Sequence, residues 1–481
     1  MRLSRLFKNA PTVNITGLTF DSRKVKPGDM YFCLPGMTYD GHDFIEQAIE
    51  NGAVCIVHSR RLENMKEGAV YIRVEDVTQA MNQCAKLFFG KPCDKMTMYG
   101  VTGTNGKSTV SNIIRYIREK KEPCGYIGTI SIEYGDVCLQ PDLTTPDAIF
   151  LQRKMADMVS YQMKSCALEV SSHGLSQHRV DAIDFDVAIF TNFTYDHLDF
   201  HGTLDNYFKA KSKLFTDRVK VNGVSVINID DEKGKELQSL SKARVVTYGI
   251  NEECDYRATN IQIGSKSSQF DLVYRSTIYP VKTNLVALYN IYNLLAAIAA
   301  LHETQMPLSQ IIKACSSIPQ IKGRLEQIEC GQNYHVIVDF AHTPDGMEQM
   351  MQFGRNIAGD HKVITVFGSA GKRDIAKRKV FGELADQYCD YIILTEDDPR
   401  DEDSRQIAMQ IKEGIEHKSN IFIEDRYEAI RQAVECANEG DVLLILGKGD
   451  ETFMYREQGR EPWMGDNNAV RDCIEKYACI E

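Results

Sequence analysis

Short apolar runs alternate along this chain with longer stretches in which apolar residues recur at helical spacing. MYFCLPG, AVCIVHS and AVYIRVE predict strands early in the chain, and TQAMNQCAKLFFG after them predicts a helix. Lys91-Pro92-Cys93 reads as a break. KMTMYGV is a further strand, followed by a Gly-rich loop and a helix with Val110, Ile113, Ile114 and Ile117 on one face. SCALEV, DFDVAIFTNF, HVIVDF, KVITVFG, DYIILT and VLLILG continue as buried strands. Strands and helices in alternation predict an α/β fold with mainly parallel sheets. The last four strands end in the polar clusters AHTPDG, SAGKRD, EDDPRDED and GKGDE. Ligands of open α/β sheets bind beyond the carboxyl ends of the strands, so these clusters should border a site.

At 481 residues the chain is long enough for about three domains of ~100–200 residues. An apolar fraction of 43% with 26% charged residues fits a core-forming globular chain. The net charge of −11 argues against nucleic acid or anionic membranes as partners, so an anionic substrate must meet local Lys and Arg clusters. The 14 cysteines never form a C-x-x-C pair, which points to buried free thiols rather than a zinc ribbon or disulfide framework. The start, MRLSRLFKNAPTVNITG, lacks the apolar segment of a signal peptide. The longest apolar run, Leu294–Leu301, falls far short of the ~20 residues that span a bilayer. A soluble cytoplasmic protein is expected.

Gly100-Val101-Thr102-Gly103-Thr104-Asn105-Gly106-Lys107-Ser108 lies between a strand and an amphipathic helix. Glycines let backbone N–H groups converge on phosphate oxygens, and the helix N-terminus adds partial positive charge. Lys107 can reach the β- and γ-phosphates and the Ser108 hydroxyl can ligate Mg²⁺, so ATP binding is expected. The form is G-x-x-G-x-x-G-K-S, a departure from the strict G-x-x-x-x-G-K-[ST] spacing. Glu169 ends the strand SCALEV, and His197 follows DFDVAIFTNF in Asp196-His197-Leu198-Asp199. Both would lie on the rim that holds the phosphate loop, where Mg²⁺ needs oxygen or imidazole ligands. A helix cap, an ion pair or a structural histidine is the alternative for each.

The segments GVTGTNGKS, EVSSHGL, DHLD, YNIYNLLAA, GRLE, VDFAHTPD and GKRDIAKR occur in one order over the whole chain, which thereby resembles the Mur ligases. The resemblance implies three domains: an N-terminal UDP-binding α/β domain (1–89), a central P-loop ATPase domain (90–319) and a C-terminal Rossmann-like domain that receives the amino acid (320–481). It also implies an enzyme that joins an amine to a carboxylate through an acyl phosphate at the expense of ATP, with Mg²⁺. Gly103, Thr104, Asn105, Gly106, Lys107, Ser108 and Thr109 then hold the phosphates, and Asn290, Asn293, Arg324 and Asp339 the rest of the nucleotide. Ser108, Glu169, His197 and Lys211 match the metal side, Lys211 as a carbamate. Nothing local to Lys211 distinguishes it from a solvated helical lysine, so its role rests on the resemblance alone. Ala287 stands where the family commonly has Gly.

The implied substrates are UDP-MurNAc-L-Ala-D-Glu and a diamino acid, and a monomer is expected. Ser22, Thr144, Thr145, Ser171, Gln177, Arg179 and carbamylated Lys211 match positions that hold the nucleotide dipeptide. Arg179 also suits a carboxylate or phosphate by its bidentate geometry. Arg373, Asp397, Asp398, Arg400, Gly447 and Glu451 match contacts to the amino acid. The two arginines favour meso-diaminopimelate, whose distal carboxylate needs a cation. Asp398 stands where the family's diaminopimelate branch has Asn, and Asp450 where it has His; the added negative charge keeps L-lysine open as the alternative. A folylpolyglutamate synthase shares the ATP chemistry, but the N-terminal DSR…PGD…F segment argues for a UDP-sugar domain. A switch NTPase would need a guanine-reading N-K-x-D, which is absent.

Overall fold

The apolar runs form the strands of three main sheets. In the computed structural model, which describes residues 1–36, 39–63 and 65–478, the first sheet holds Gly17–Thr19, Asp29–Phe32, Cys55–His58 and Val70–Arg73, all parallel. The second has eleven strands. Its centre runs Arg244–Gly249, Val219–Asn228, Phe185–Phe190, Thr97–Thr102, Ser165–Glu169 and Cys124–Ile127, parallel throughout. The third runs Glu326–Gln327, His335–Asp339, Val442–Leu446, Val363–Phe367, Tyr391–Leu394 and Ser419–Phe422, and only its first strand is antiparallel.

The second sheet departs from the all-parallel pattern at both edges. Ser268–Tyr274 and Thr277–Thr283 add an antiparallel hairpin beyond Tyr256–Ile263. Ile132–Tyr134 and Val137–Leu139 do the same at the other edge. Antiparallel neighbours need only a tight turn, so a parallel sheet can be widened cheaply this way.

Helix Lys107–Glu119 buries Val110, Ile113, Ile114 and Ile117, each fully, against helix Leu288–Glu303 and the second sheet. The latter helix is apolar nearly all round because Leu294–Leu301 is enclosed on every side. No described helix is long and apolar enough to cross a membrane. Helix Val77–Phe88 joins the first sheet to the second: Asn82 Nδ2 donates to the His178 carbonyl (2.9 Å), and Lys86 pairs with Asp184 (2.7 Å). All described cysteines are free thiols, and Cys138 alone among them is exposed.

This topology sets the site. Thr97–Thr102 lies between Ser165–Glu169 and Phe185–Phe190, so the phosphate loop, Glu169 and the 191–199 segment leave the sheet side by side at its carboxyl edge. In the third sheet, the loops that follow Asp339, Phe367, Leu394 and Leu446 leave adjacent parallel strands in the same way.

Candidate active site

The phosphate loop is folded by its glycines and by a neighbouring asparagine. Gly106 has φ +87° and caps helix Lys107–Glu119; a Cβ there would collide with the Asn293 side chain, so only glycine lets the loop pass beneath helix Leu288–Glu303. Asn192 completes the turn, accepting from Thr104 N through its carbonyl and from Asn105 N through Oδ1 (both 2.9 Å). Lys107 Nζ donates to the carbonyls of Gly103 (3.0 Å) and Thr104 (2.8 Å). Burial pulls its pKa below the usual lysine value, against the opposing pull of Glu169 and Asp196.

Glu169 is wholly buried at the strand end and accepts four hydrogen bonds. Tyr126 OH (2.5 Å) and Thr129 N (3.0 Å) donate to Oε1; Ser108 Oγ (2.9 Å) and Thr129 Oγ1 (3.1 Å) donate to Oε2. A buried carboxylate is tolerable only when so satisfied, and this one is fixed in direction before any ligand arrives. Across the loop, Lys211 is 1% exposed on helix Leu204–Lys213. Its Nζ donates to the Gly103 carbonyl (2.7 Å) and lies 4.4 Å from the Tyr207 ring centre, with no carboxylate among the described residues in ion-pair contact. Burial, reinforced by Lys107, drives its pKa well below the usual lysine value. His197 sits at φ +55° with Nε2 3.2 Å from Asp196, and burial lowers its pKa to about 3, which leaves a neutral imidazole with a free lone pair.

The donor set fits Mg²⁺ only in part as it stands. Among the described residues no group of three or more His, Cys, Asp and Glu is arranged to hold an ion. Ser108, Glu169 and His197 supply hard or borderline ligands on one side, and Lys211 as an amine supplies none. A carbamate on Lys211 would provide the missing anionic oxygens; it forms by addition of CO2 to the uncharged amine with loss of a proton, and burial favours that uncharged form.

One cavity of about 430 Å³ joins these groups to the third sheet. Arg324 reaches Ser108 Oγ (Nη2, 3.4 Å) and lies over the Phe340 ring, 4.4 Å from its centre. Asp339 is pinned by Leu325 N (2.6 Å) and Ala341 N (2.8 Å). Asn105 Nδ2 donates across to Asp345 (2.6 Å) at the start of helix Pro344–Ala358. On the opposite wall, Thr145 accepts from Ser171 N (3.0 Å) and donates to the Glu169 carbonyl (2.8 Å), while Arg179 Nη1 donates to the Thr145 carbonyl (2.7 Å). Thr144, Ser171, Asn290 and Asn293 line the same space.

Not every expected residue meets there. Gly103 supplies its carbonyl to both lysines without lining the cavity. Gln177 contacts the site through Arg179, to which its Oε1 accepts, and Ser22 lies apart, its hydroxyl on Gln47 (2.6 Å). Of the residues expected to contact an amino acid, Arg373 and Glu451 line the cavity, whereas Asp397, Asp398, Arg400 and Gly447 do not. Arg373 is paired with Asp199 (3.0 Å), and Arg400 donates to the Gly371 carbonyl. The two extra acids do not open freely into the pocket: Asp398 is held by Lys448 (2.8 Å), and Asp450 lies 4.0 Å from Arg324 on the nucleotide side.

Sequence reasoning missed several of the lining groups. Asp196 and His173 lie within DHLD and EVSSHGL, and nearness in sequence to His197 and Glu169 is their available signal. His173 packs on Phe200 with centroids 4.2 Å apart and edge-on to His197 at 4.8 Å. Tyr126 and Thr129, which orient Glu169, carry no recognisable pattern.

A phosphate loop opposed by a buried carboxylate, an imidazole and a desolvated lysine, closed by a second α/β layer, defines an ATP-dependent ligase. The chain belongs to the Mur ligase family: residues 101–301 match the Mur ligase middle domain, 323–449 the Mur ligase glutamate ligase domain, and 14–89 the Mur ligase family catalytic domain. It is 40% identical over 450 residues to the UDP-N-acetylmuramoyl-L-alanyl-D-glutamate–2,6-diaminopimelate ligase of Caldanaerobacter subterraneus subsp. tengcongensis, covering 93% of this chain and 92% of that one. A solved structure of a ligase of that name superimposes with a TM-score of 0.70 at 29% identity, covering 99% of both chains. The folylpolyglutamate synthase of Mycobacterium tuberculosis shares the fold, with a TM-score of 0.63 at 16% identity over 76% of this chain and 91% of that one.

Proposed function

We propose that this protein joins meso-diaminopimelate to the D-glutamyl side-chain carboxylate of UDP-MurNAc-L-Ala-D-Glu, as a cytoplasmic enzyme that converts ATP to ADP and phosphate. The observation that carries the reading is the single cavity into which Lys107, Glu169, Lys211, Arg179, Arg324 and Glu451 all open. The named relatives, which match over nearly the whole chain, support it. The N-terminal segment 1–89 would take the uridine end, 90–319 the triphosphate and dipeptide, and 320–481 the amino acid.

A carboxylate is a poor acylating agent because its leaving group would be oxide. Transfer of the γ-phosphoryl group breaks the β–γ bridge and forms an acyl phosphate, from which phosphate departs readily. The amine lone pair then attacks the acyl carbon, giving a tetrahedral intermediate that expels phosphate and loses a proton to leave the amide. Lys107 stands over the loop where negative charge accumulates on the transferring group. Thr144, Thr145 and Arg179 hold the dipeptide against that loop, and Arg324 and Asp339 fix the nucleotide from the other side. Ser108, Glu169, His197 and carbamylated Lys211 are the residues that would hold Mg²⁺, whose charge offsets the repulsion between carboxylate and triphosphate. Arg373 and Arg400 supply the cations that a second substrate carboxylate requires.

The test is phosphate release from ATP and Mg²⁺ with UDP-MurNAc-L-Ala-D-Glu, run in parallel with meso-diaminopimelate and L-lysine. Release should need the nucleotide dipeptide and should favour diaminopimelate by at least about tenfold in kcat/KM. ATP turnover indifferent to both substrates would remove the ligase reading, and a preference for L-lysine would overturn the choice of amino acid.

A further inference from the structure

The two oxygens of the Glu169 carboxylate are held by donors of different kinds. Oε1 accepts from Tyr126 OH (2.5 Å) and from Thr129 N (3.0 Å), the one at the end of a wholly buried ring and the other in the backbone. Strand Cys124–Ile127 and the turn after it fix both donors in place. Gly128 closes over this pair, since a Cβ there would collide with Oε1 and with the Tyr126 hydroxyl together. Oε2 faces two side-chain hydroxyls instead, Ser108 Oγ (2.9 Å) and Thr129 Oγ1 (3.1 Å). Such hydroxyls rotate to suit their partners, and Thr129 has a second acceptor in Thr144 Oγ1 (3.0 Å). A carboxylate oxygen carries two lone pairs, so Oε1 is saturated by fixed donors and Oε2 is covered by displaceable ones.

We infer that Tyr126 makes Glu169 a one-oxygen ligand and thereby selects Mg²⁺ against Ca²⁺ at this site. The inference rests on the ligase reading above for the presence of a divalent ion, and goes beyond it by assigning the choice of ion to a residue that the proposed reaction does not use. Mg²⁺ demands near-octahedral geometry with oxygens at about 2.0–2.1 Å, which a carboxylate satisfies through a single oxygen. Ca²⁺ is larger, takes about six to eight oxygens at roughly 2.3–2.6 Å, and is well served by a carboxylate that grips it with both. With Oε1 taken by Tyr126 and Thr129 N, only Oε2 can turn to an ion, once the two hydroxyls rotate aside. Ca²⁺ would then fill its shell only by drawing in more water or by breaking a buried hydrogen bond, a cost that Mg²⁺ does not meet. Tyr126 acts through Glu169 and is a positioning residue. Phenylalanine in its place keeps the buried ring and frees one lone pair on Oε1.

The test compares the wild type with Tyr126→Phe, each loaded with Mn²⁺ and a non-hydrolysable ATP analogue. Electron paramagnetic resonance follows Mn²⁺ as Mg²⁺ or Ca²⁺ displaces it, so no turnover is involved and the nucleotide's own share of ion binding cancels between the two proteins. The preference for Mg²⁺ over Ca²⁺ should fall at least about threefold in Tyr126→Phe. A smaller change, or one in the other direction, overturns the inference; a purely structural role for the phenol would weaken both ions together and give that result. Thr129→Ala removes a donor to Oε2 and keeps both bonds to Oε1, so its preference should stay within about twofold of wild type. A larger shift there would take the selectivity away from Oε1. Should Tyr126→Phe fail to fold, the wild type decides alone. Crystals grown with the analogue and either ion should show one Glu169 oxygen within about 2.6 Å of the metal, and two such oxygens, or none, overturn the inference. If phosphate release does not depend on the nucleotide dipeptide and a diamino acid, the ligase reading fails on its own account, and the displacement ratio is unaffected by that failure.

Discussion

Glu451 shows how one side chain's surroundings set a measurable dependence. Burial raises its pKa to about 7, although the Lys448 ammonium pulls against that rise. The group is neutral below this value and ionised above it, so an incoming amine that the proposed reaction sets against it would lose an anionic acceptor as the pH falls. Between pH 8 and pH 6 the ionised fraction drops about tenfold, and KM for the amino acid should rise by up to that factor while KM for ATP stays level. Glu451→Gln should flatten the profile; a wild-type KM independent of pH over this range would exclude Glu451 as an amine acceptor. Residues such as Lys107 and Ser108 were legible because phosphate chemistry demands a contiguous loop, and contiguity survives in a sequence. Tyr126 was not, because its partner Glu169 is 43 positions away and only the pairing of Cys124–Ile127 with Ser165–Glu169 brings them together. Lys448 is the sharper case. Its charge was visible, but its effect on Asp398, 50 positions earlier, depends on two loops that leave different strands.

Elements follow the same division. The strand–loop–helix unit over Thr97–Glu119 was readable since its two periodicities meet at a glycine run. The hairpin Ser268–Thr283 was not singled out, because half-exposed strands with scattered polar positions acquire their meaning only beside Tyr256–Ile263. The start of helix Leu288–Glu303 carries a local conflict that both levels expose. Ala287, where the family commonly has Gly, sits at φ +70°, ψ 148°, a region that suits glycine almost exclusively, and it is 4% exposed. Ala287→Gly should relieve this strain and stabilise the protein by about 1 kcal/mol after the extra chain entropy of glycine is charged against it. Differential scanning calorimetry should show a melting temperature higher by roughly 1 °C for a chain of this length. A lower one would mean that the methyl's packing against the third-sheet core, to which Ala287 contributes, outweighs the strain.

At the scale of the molecule, the second and third sheets approach through scattered polar bridges, among them Asn105–Asp345, Arg324–Ser108, Lys266–Glu329 (2.8 Å), Gln327 to the Ser265 carbonyl (2.6 Å), Arg373–Asp199 and Arg460–Asp142 (3.0 Å). The last spans the mouth of the cleft, from hairpin Phe453–Pro462 to the loop that bears Thr144 and Thr145. Asp142 is 91% exposed and Arg460 35%, so solvent screens the pair and its hold is weak. Closure is therefore expected to be readily reversible, as a site assembled from separate layers requires. Arg460→Ala should enlarge the radius of gyration of the nucleotide-free protein in X-ray scattering, and added salt should do the same to the wild type. Identical scattering curves for both would show that the arrangement depends on apolar packing instead.

The one thiol exposed among the described residues gives that motion a witness. Cys138 lies in strand Val137–Leu139, just ahead of Asp142, while the other described cysteines are shielded to varying degrees. A small maleimide dye would attach beside the moving lip without entering the chemistry. Its emission would then time each opening stroke during turnover, in a protein that needs no cysteine engineered into it.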